Sequence, residues 1–143
     1  PLLHDEEEGE RVRGVMSLER AVRHALKNPI EAKGRSSISR FGAILSDGYS
    51  TYYGWNSYRS HPLQARFAAK TGTPEKIHVH AELSVCIQAA KTYLKYGKKS
   101  DLSGFRLYVA RVLADGTPAM AKPCESCMAA LLEFGVSSVE YTE

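Results

Sequence analysis

Hydrophobic residues recur along this chain with two spacings, one typical of helices and one typical of strands. The first helix is predicted over residues 17–28, where apolar side chains repeat every three or four positions. Its apolar positions are Leu18, Ala21, Val22, Ala25 and Leu26. Ser17 can cap the start of this helix, and the Asn28-Pro29 step ends it because a residue before proline avoids helical geometry.

Two strands follow this helix and form a hairpin. Residues 39–45 and 49–55 are rich in apolar and aromatic side chains, and the Ser-Asp-Gly sequence at 46–48 predicts the turn between them. The next stretch, 57–76, is polar and broken by prolines and a glycine, with one or two helical turns expected at 63–70. A loop of that length in a compact domain is usually functional or mobile.

The second half of the chain alternates helices with strands. A helix is predicted from His80 to about Tyr96, with Gly97 as its C-terminal cap, and a strand over 105–113. A second helix should begin at Pro123-Cys124, end at Gly135 and lead into a strand over 136–141. The residues of this second helix that are expected to face the core are Met128, Leu131 and Leu132.

The predicted order of elements is α-β-β-α-β-α-β. A β-α-β-α-β run needs crossover helices packed on the sheet, which predicts a three-layer α/β/α sandwich around a central mixed sheet of four to five strands. We expect one domain over residues 17–143 and a flexible acidic N-terminal arm over residues 1–16.

Composition describes a soluble globular domain, with 43% hydrophobic and 24% charged residues among 143. No apolar run approaches the roughly 20 residues of a membrane span, and the first residues lack the layout of a secretory signal. Five of the sixteen acidic residues lie in segment 5–10, which leaves eleven acidic against nineteen basic residues elsewhere. That basic body suits a phosphorylated ligand, although the acidic segment by itself is typical of solvated, disordered chain.

The candidate chemistry lies in two short segments. His80, Cys124 and Cys127 offer one imidazole and two thiols, which are three ligands of the kind a catalytic zinc takes, with a fourth position open for water. Glu82 is close enough in sequence to move a proton on that water. There are two alternatives to a catalytic zinc: a structural zinc with His78 as its fourth ligand, or a redox role for the cysteine pair. Cys86 falls in an apolar helical run and is expected to be buried.

These residues carry a family resemblance. The segments SRFGAILSDG (39–48), GWN (54–56), HAE (80–82), LYVARV (107–112) and KPCESCMAALLEFGVSSVEY (122–141) resemble the cytidine deaminase superfamily over residues 17–142. Among its members, the chain is most similar to phage-encoded deoxycytidylate and cytidine deaminases. The resemblance implies a five-stranded sheet, bound zinc (Zn2+), and hydrolytic replacement of an exocyclic amine by oxygen. Only four strands are predicted, so we expect a smaller sheet, a cut chain or an edge covered by another chain.

The resemblance also implies roles for individual residues. Glu82 would be the catalytic proton carrier, the backbone of Ala81 would contact the base edge, and Asn56 would lie near the base and sugar. Arg59 and His61 follow Asn56 closely in sequence, so they are the candidates for contacting a phosphate. The alternative is that both side chains are simply solvated and bind no ligand.

The expected function is deamination of the cytosine in a free nucleotide, dCMP to dUMP, with release of ammonia. The partner would then be a small pyrimidine nucleotide or nucleoside. The alternatives are a cytosine or adenine deaminase acting on single-stranded nucleic acid or tRNA, and a non-catalytic zinc domain. We expect no membrane contact, a cytoplasmic location (the host cytoplasm if phage-encoded) and, by resemblance, a homo-oligomer.

Overall fold

The structure is a computed structural model, and it describes residues 18–34, 38–95 and 101–143. The expected acidic arm at 1–16, the Ser17 cap and the Gly97 cap lie outside these residues. In the helices of the described residues, no stretch is both long and apolar enough to cross a bilayer.

A mixed sheet of five strands forms the centre of the fold. The strands are β1 (Arg40–Ser46), β2 (Thr51–Trp55), β3 (Arg106–Val112), β4 (Pro118–Ala119) and β5 (Ser138–Tyr141). Strand β1 pairs antiparallel with β2 on one side and with β3 on the other. The far side of β3 is shared, since β5 pairs parallel with its first half and β4 pairs antiparallel with its end. The predicted α/β fold with a mixed sheet is therefore confirmed.

Four helices cover the two faces of the sheet. Helix α1 (18–26) packs on one face, and α2 (Pro62–Lys70), α3 (Ala81–Lys95) and α4 (Glu125–Phe134) pack on the other. The smaller apolar cluster lies between α1 and the sheet and consists of Ala21, Ala25, Ile44, Tyr108, Ala110 and Val112. The larger cluster holds apolar side chains of the other three helices. Successive residues of a strand point to opposite faces of the sheet, so each face has its own apolar cluster and the helices form a layer on each side.

The turn between β1 and β2 forms as the sequence predicts. The carboxylate of Asp47 accepts hydrogen bonds from the backbone N–H groups of Tyr49 and Ser50, at 2.8 and 2.6 Å. Gly48 has a φ of 92°, a backbone angle that residues other than glycine rarely adopt. This local chemistry fixes the hairpin register, in which Gly42 lies opposite Trp55.

The polar segment 57–76 contains a helix of nine residues where the sequence predicts one or two helical turns at 63–70. The prolines of this segment are expected to break it, but Pro62 begins α2, because proline at the first position loses no helical hydrogen bond. His61 is the N-cap, and its Nδ1 accepts a hydrogen bond from the Leu63 N–H at 3.1 Å. Helix α2 therefore covers the predicted turns and Pro62, and it carries the buried side chains of Gln64 and Phe67.

Other differences concern α4 and the strands around it. Leu132 and Met128 were expected to face the core, but they are 78% and 38% exposed, whereas Leu131 is buried. The predicted strand at 136–141 begins only at Ser138, because the Val136 N–H bonds back to Leu131 at the end of α4. Strand β4 was missed, since two residues give no periodic signal.

Candidate metal centre

The fold brings three metal-ligating side chains together at the N-termini of two helices. His80 directly precedes α3, Cys124 is the N-cap of α4, and Cys127 lies in the first turn of α4. Their donor atoms all lie within 4.8 Å of one another. His80 Nδ1 is 3.2 Å from Cys127 Sγ and 3.5 Å from Cys124 Sγ.

These separations and donor types fit zinc. A tetrahedral zinc with bonds of about 2.0–2.1 Å to nitrogen and about 2.3 Å to sulfur places its donors roughly 3.5 Å apart. The two measured nitrogen–sulfur distances are close to that value. Three protein donors are also the number typical of catalytic zinc, which keeps one position for water or substrate. His78 is not among the clustered donors, and its ring instead meets the Tyr58 ring edge-on at 5.7 Å.

The two cysteines differ in their electrostatic environment. A hydrogen bond from the Cys127 thiol lowers the pKa of Cys124 to about 2, and His80 and Ser126 add to this effect. Cys127 is 2% exposed, and its pKa is raised by that same hydrogen bond and by burial. The thiolate form of Cys124, which is the form that binds metal, is therefore favoured, and it accepts a hydrogen bond from the Cys127 thiol.

Glu82 is a buried carboxyl group beside this cluster. It lies in the first turn of α3 and is only 4% exposed. Burial raises the pKa of the Glu82 carboxyl, while the nearby His80 opposes that effect. A carboxyl group whose pKa is shifted towards neutral pH can both accept and return a proton, which is the requirement for general acid–base catalysis.

The residue expected near base and sugar has an amide that is largely engaged within the protein. Asn56 Oδ1 accepts hydrogen bonds from Asn28 Nδ2 at 2.7 Å and from the Phe41 N–H at 2.9 Å. Its Nδ2 donates to the Ser39 carbonyl at 3.2 Å. Asn56 therefore ties the segment after α1 to the start of β1, and within the part of the chain that the structure describes one N–H of its side chain has no hydrogen-bond partner. Ala81, the other candidate for a base contact, is fully buried.

An open groove of about 810 Å³ runs along the outer edge of β2, between α1 and α3. Asn56 and Arg59 line this edge groove, whereas His61 does not. The segment that carries Arg59 runs beside the metal donors, because the Ser57 N–H bonds to the Val79 carbonyl and the Val79 N–H bonds to the Arg59 carbonyl. None of the described donors, nor Glu82, lines the groove itself.

The edge groove combines basic and aromatic side chains. Lys33 and Arg59 are its basic residues, and Lys33 Nζ lies 4.9 Å from the centre of the Tyr58 ring. Trp55 stacks on His24 with ring centres 4.6 Å apart, and Trp55 Nε1 donates to the His24 carbonyl. Such a lining offers stacking surfaces and positive charge in one place.

One buried side chain at this site gave no signal in the sequence. Gln64 of α2 is 1% exposed, and its Oε1 accepts a hydrogen bond from the His80 N–H at 3.2 Å. Its Nε2 donates to the Lys76 carbonyl at 3.5 Å. A glutamine in a polar segment reads as a surface residue, and only the packing of α2 makes it an internal one.

Comparison with known proteins gives one family. The family model described as "Cytidine and deoxycytidylate deaminase zinc-binding region" matches residues 16–143. A search of curated proteins found no match. The matched range takes in every donor of the metal centre, Glu82 and the whole sheet.

Proposed function

The chain belongs to the cytidine and deoxycytidylate deaminase family, and we propose that it hydrolyses the cytosine of a free nucleotide, converting dCMP to dUMP and ammonia. The observation that carries the proposal is the buried Glu82 carboxyl beside the His80, Cys124 and Cys127 donors. A structural zinc site needs no acid at this position, whereas hydrolytic deamination needs one group that moves protons.

The three donors would hold zinc, which lowers the pKa of a bound water to near 7 and so supplies the nucleophile. Glu82 accepts a proton from the attacking water and delivers it to ring N3 as the new C4–O bond forms. Glu82 then passes the second proton of the same water to the exocyclic amine, which leaves as ammonia when the C4–N bond breaks. Burial favours the first step, because the raised pKa of the Glu82 carboxyl makes its carboxylate a stronger base towards the proton of the water.

The monophosphate is proposed from the edge groove. Arg59 lines the groove on the segment that pairs with Val79, immediately before His80. An arginine there can bind phosphate oxygens through two parallel hydrogen bonds. The remaining N–H of Asn56 and the backbone at Ala81 are the proposed contacts for the sugar and base edge. His61 is a weaker candidate for the phosphate, because its Nδ1 is already occupied by the cap of α2.

Single-stranded nucleic acid is a second candidate substrate, favoured by the aromatic lining of the same groove. Tyr53 is 46% exposed and lines the groove together with Trp55 and Tyr58. Bases stack on such side chains without regard to sequence. Binding of a cytosine-containing oligonucleotide that weakens steeply with salt would favour this substrate, and no binding at low salt would count against it.

Self-association is proposed on the evidence of α4. Leu132 and Met128 leave an apolar strip of that helix in solvent, and exposed apolar area is typical of protein interfaces. Analytical ultracentrifugation of the wild-type protein and of Leu132→Glu should show an oligomer that the substitution weakens. A wild-type monomer would remove this proposal and leave the proposed chemistry untouched.

The test of function is ammonia release by the zinc-loaded protein. The substrates to compare are cytidine, deoxycytidine, dCMP, dCTP and a cytosine-containing single-stranded oligonucleotide. We expect the highest kcat/KM with dCMP, and a loss of about 10²–10⁴-fold in Glu82→Gln, which keeps the size of the side chain but cannot carry the proton. Activity on the oligonucleotide alone would select the second substrate. No activity on any of them would leave a zinc domain without a reaction.

A further inference from the structure

We propose that Gln64 is a positioning residue of the metal centre, which fixes the ligand His80 through its backbone N–H. Among the described residues, the Gln64 side chain hydrogen-bonds to the backbone of His80 and of Lys76, and not to any of the three donor atoms. It acts from α2, a helix that supplies none of the three donors. The proposal concerns how this chain holds its metal ligand and does not depend on which substrate is deaminated.

The backbone N–H of His80 is a group that needs a partner. His80 occupies the N-cap position of α3, because its carbonyl accepts the Ser84 N–H at 3.0 Å while α3 begins at Ala81. At many helix starts the N-cap N–H is bonded by a Glu or Gln three residues later, in a capping box. That position in α3 is Leu83, which has no acceptor in its side chain. Gln64 supplies the missing acceptor from a neighbouring helix, at 3.2 Å.

The same amide also holds the chain that leads into the ligand. Gln64 Nε2 donates to the carbonyl of Lys76, four residues before His80. One buried side chain therefore fixes both ends of the 76–80 segment. Because Gln64 is 1% exposed, water cannot easily replace either hydrogen bond, and removing the amide would leave the His80 N–H without a partner.

Helix α2 connects this contact to the other half of the metal centre. Arg66 forms an ion pair with Glu133 on α4, the helix that carries Cys127. Phe67 is buried in the same apolar cluster as Ala130 and Leu131 of α4. Helix α2 thus contacts α4 through one face and His80 through Gln64, so it sets the distance between the histidine donor and the cysteine donors. Groups that orient metal ligands in this way commonly change metal affinity by about 10–100-fold when they are substituted.

The test compares three variants with the wild-type protein. Gln64→Met keeps the length of the side chain and removes both hydrogen bonds. Gln64→Glu keeps an oxygen that can accept the His80 N–H in either protonation state. Ile44→Ala removes buried volume from the apolar cluster on the opposite face of the sheet and controls for general loss of stability. For each protein, zinc affinity is measured by competition with a chelator, and the visible absorption of the Co2+ form reports the geometry of the ligands.

We expect Gln64→Met to bind zinc about 10–100-fold more weakly and to show a shifted Co2+ spectrum. Gln64→Glu should stay within a few-fold of wild type, and Ile44→Ala should keep the wild-type affinity and spectrum although it unfolds at a lower temperature. Wild-type affinity in Gln64→Met, or an equal loss in Ile44→Ala, would overturn the proposal. If Gln64→Met does not fold, Gln64→Glu decides: a loss of tenfold or more with an altered spectrum would overturn it, because the acceptor is still present.

Discussion

Asn28 Nδ2 donates a hydrogen bond of 2.7 Å to Asn56 Oδ1, and this contact joins the segment after α1 to the residue that follows β2. The same Asn28 amide donates to the Phe41 carbonyl at 3.1 Å, and its Oδ1 accepts the Ile30 N–H at 2.9 Å. Asn28 is 5% exposed, so these bonds form out of water. The two asparagines hold one end of the edge groove in place before any substrate arrives.

The first prediction concerns this pair. Asn56→Ala should lower the free energy of unfolding by about 1–3 kcal/mol, because the Phe41 N–H and the Asn28 amide lose a partner in a partly buried place. Urea denaturation of Asn56→Ala, Asn28→Ala and the double variant measures the effect. The two single losses should not add, since each removes the same hydrogen bond. Strict additivity would contradict the shared role.

The second prediction tests the phosphate contact. Arg59→Ala should reduce kcat/KM for dCMP by about tenfold to a hundredfold, the usual effect of losing a charged hydrogen bond, and should leave deoxycytidine nearly unchanged. Steady-state assays of ammonia release on both substrates measure the difference. Lys70→Ala is the matched control, because Lys70 is an exposed basic residue at the end of α2 that does not line the edge groove. Equal losses on both substrates would argue against a phosphate role for Arg59.

The third prediction concerns the three thiols of the metal-free protein. Cys124 should react fast with a chromogenic disulfide reagent, because the hydrogen bond from Cys127 lowers the pKa of Cys124 and keeps it a thiolate. Cys86 is fully buried, and burial raises its pKa to about 12, so it should react only after unfolding.

Zinc should abolish the fast reaction, since the ion takes the same thiolate. Cys86→Ala is the control and should leave the fast phase unchanged. Fast reaction of all three thiols in the folded protein, or no protection by zinc, would contradict this prediction.

The fourth prediction is a pH dependence of stability that comes from His24. Burial lowers the pKa of His24, and the charge of Lys27 lowers it further. The unfolded chain therefore takes up a proton first as the pH falls, so the contribution of His24 to stability is present above about pH 6.5 and is lost on acidification below it. His24→Phe keeps a ring for the Trp55 stack and cannot titrate.

Melting temperatures of both proteins from about pH 8 to about pH 5 measure the effect. The wild type should lose more stability than the variant over this range. Parallel curves would mean that His24 titrates alike in the folded and unfolded states.

The fifth prediction concerns the close contact of α1 with the sheet. A Cβ at Gly42 would lie 2.5 Å from the backbone N of Ala25 and 2.7 Å from the carbonyl oxygen of Ala21, so Gly42→Ala must push α1 outward. We expect a loss of about 1–3 kcal/mol in the free energy of unfolding. Gly104→Ala is the control, because its Cβ would meet no atom within 4 Å. It should change stability by less than about 0.5 kcal/mol.

The parts of the fold that could be predicted are those specified by neighbours in sequence. The Asp47-Gly48 turn, the end of α4 at Gly135 and the C-x-x-C spacing of Cys124 and Cys127 all depend on residues a few positions apart. The family resemblance then supplied the long-range link between His80 and Cys124, which lie 44 positions apart.

The parts that could not be predicted depend on distant contacts. Strand β4 exists because β3 offers backbone partners at Arg111 and Val112, and two residues of sequence cannot show that. Leu132 is apolar yet exposed, since the space beneath α4 is filled by Leu131 and Ala130. Asn56 was predicted from the family pattern as a substrate contact, but most of its hydrogen bonds go to chain segments that the sequence alone does not place beside it.

The separation of the metal donors has a thermodynamic consequence. Because the three donors come together only when the chain is folded, an ion held between His80 and the two cysteines binds the folded state more tightly than the unfolded chain and shifts the folding equilibrium by mass action. An ion at a hundred times its dissociation constant adds at most about 2.7 kcal/mol to the free energy of unfolding. Zinc supply would then govern how much of the protein remains folded as well as how much of it can react.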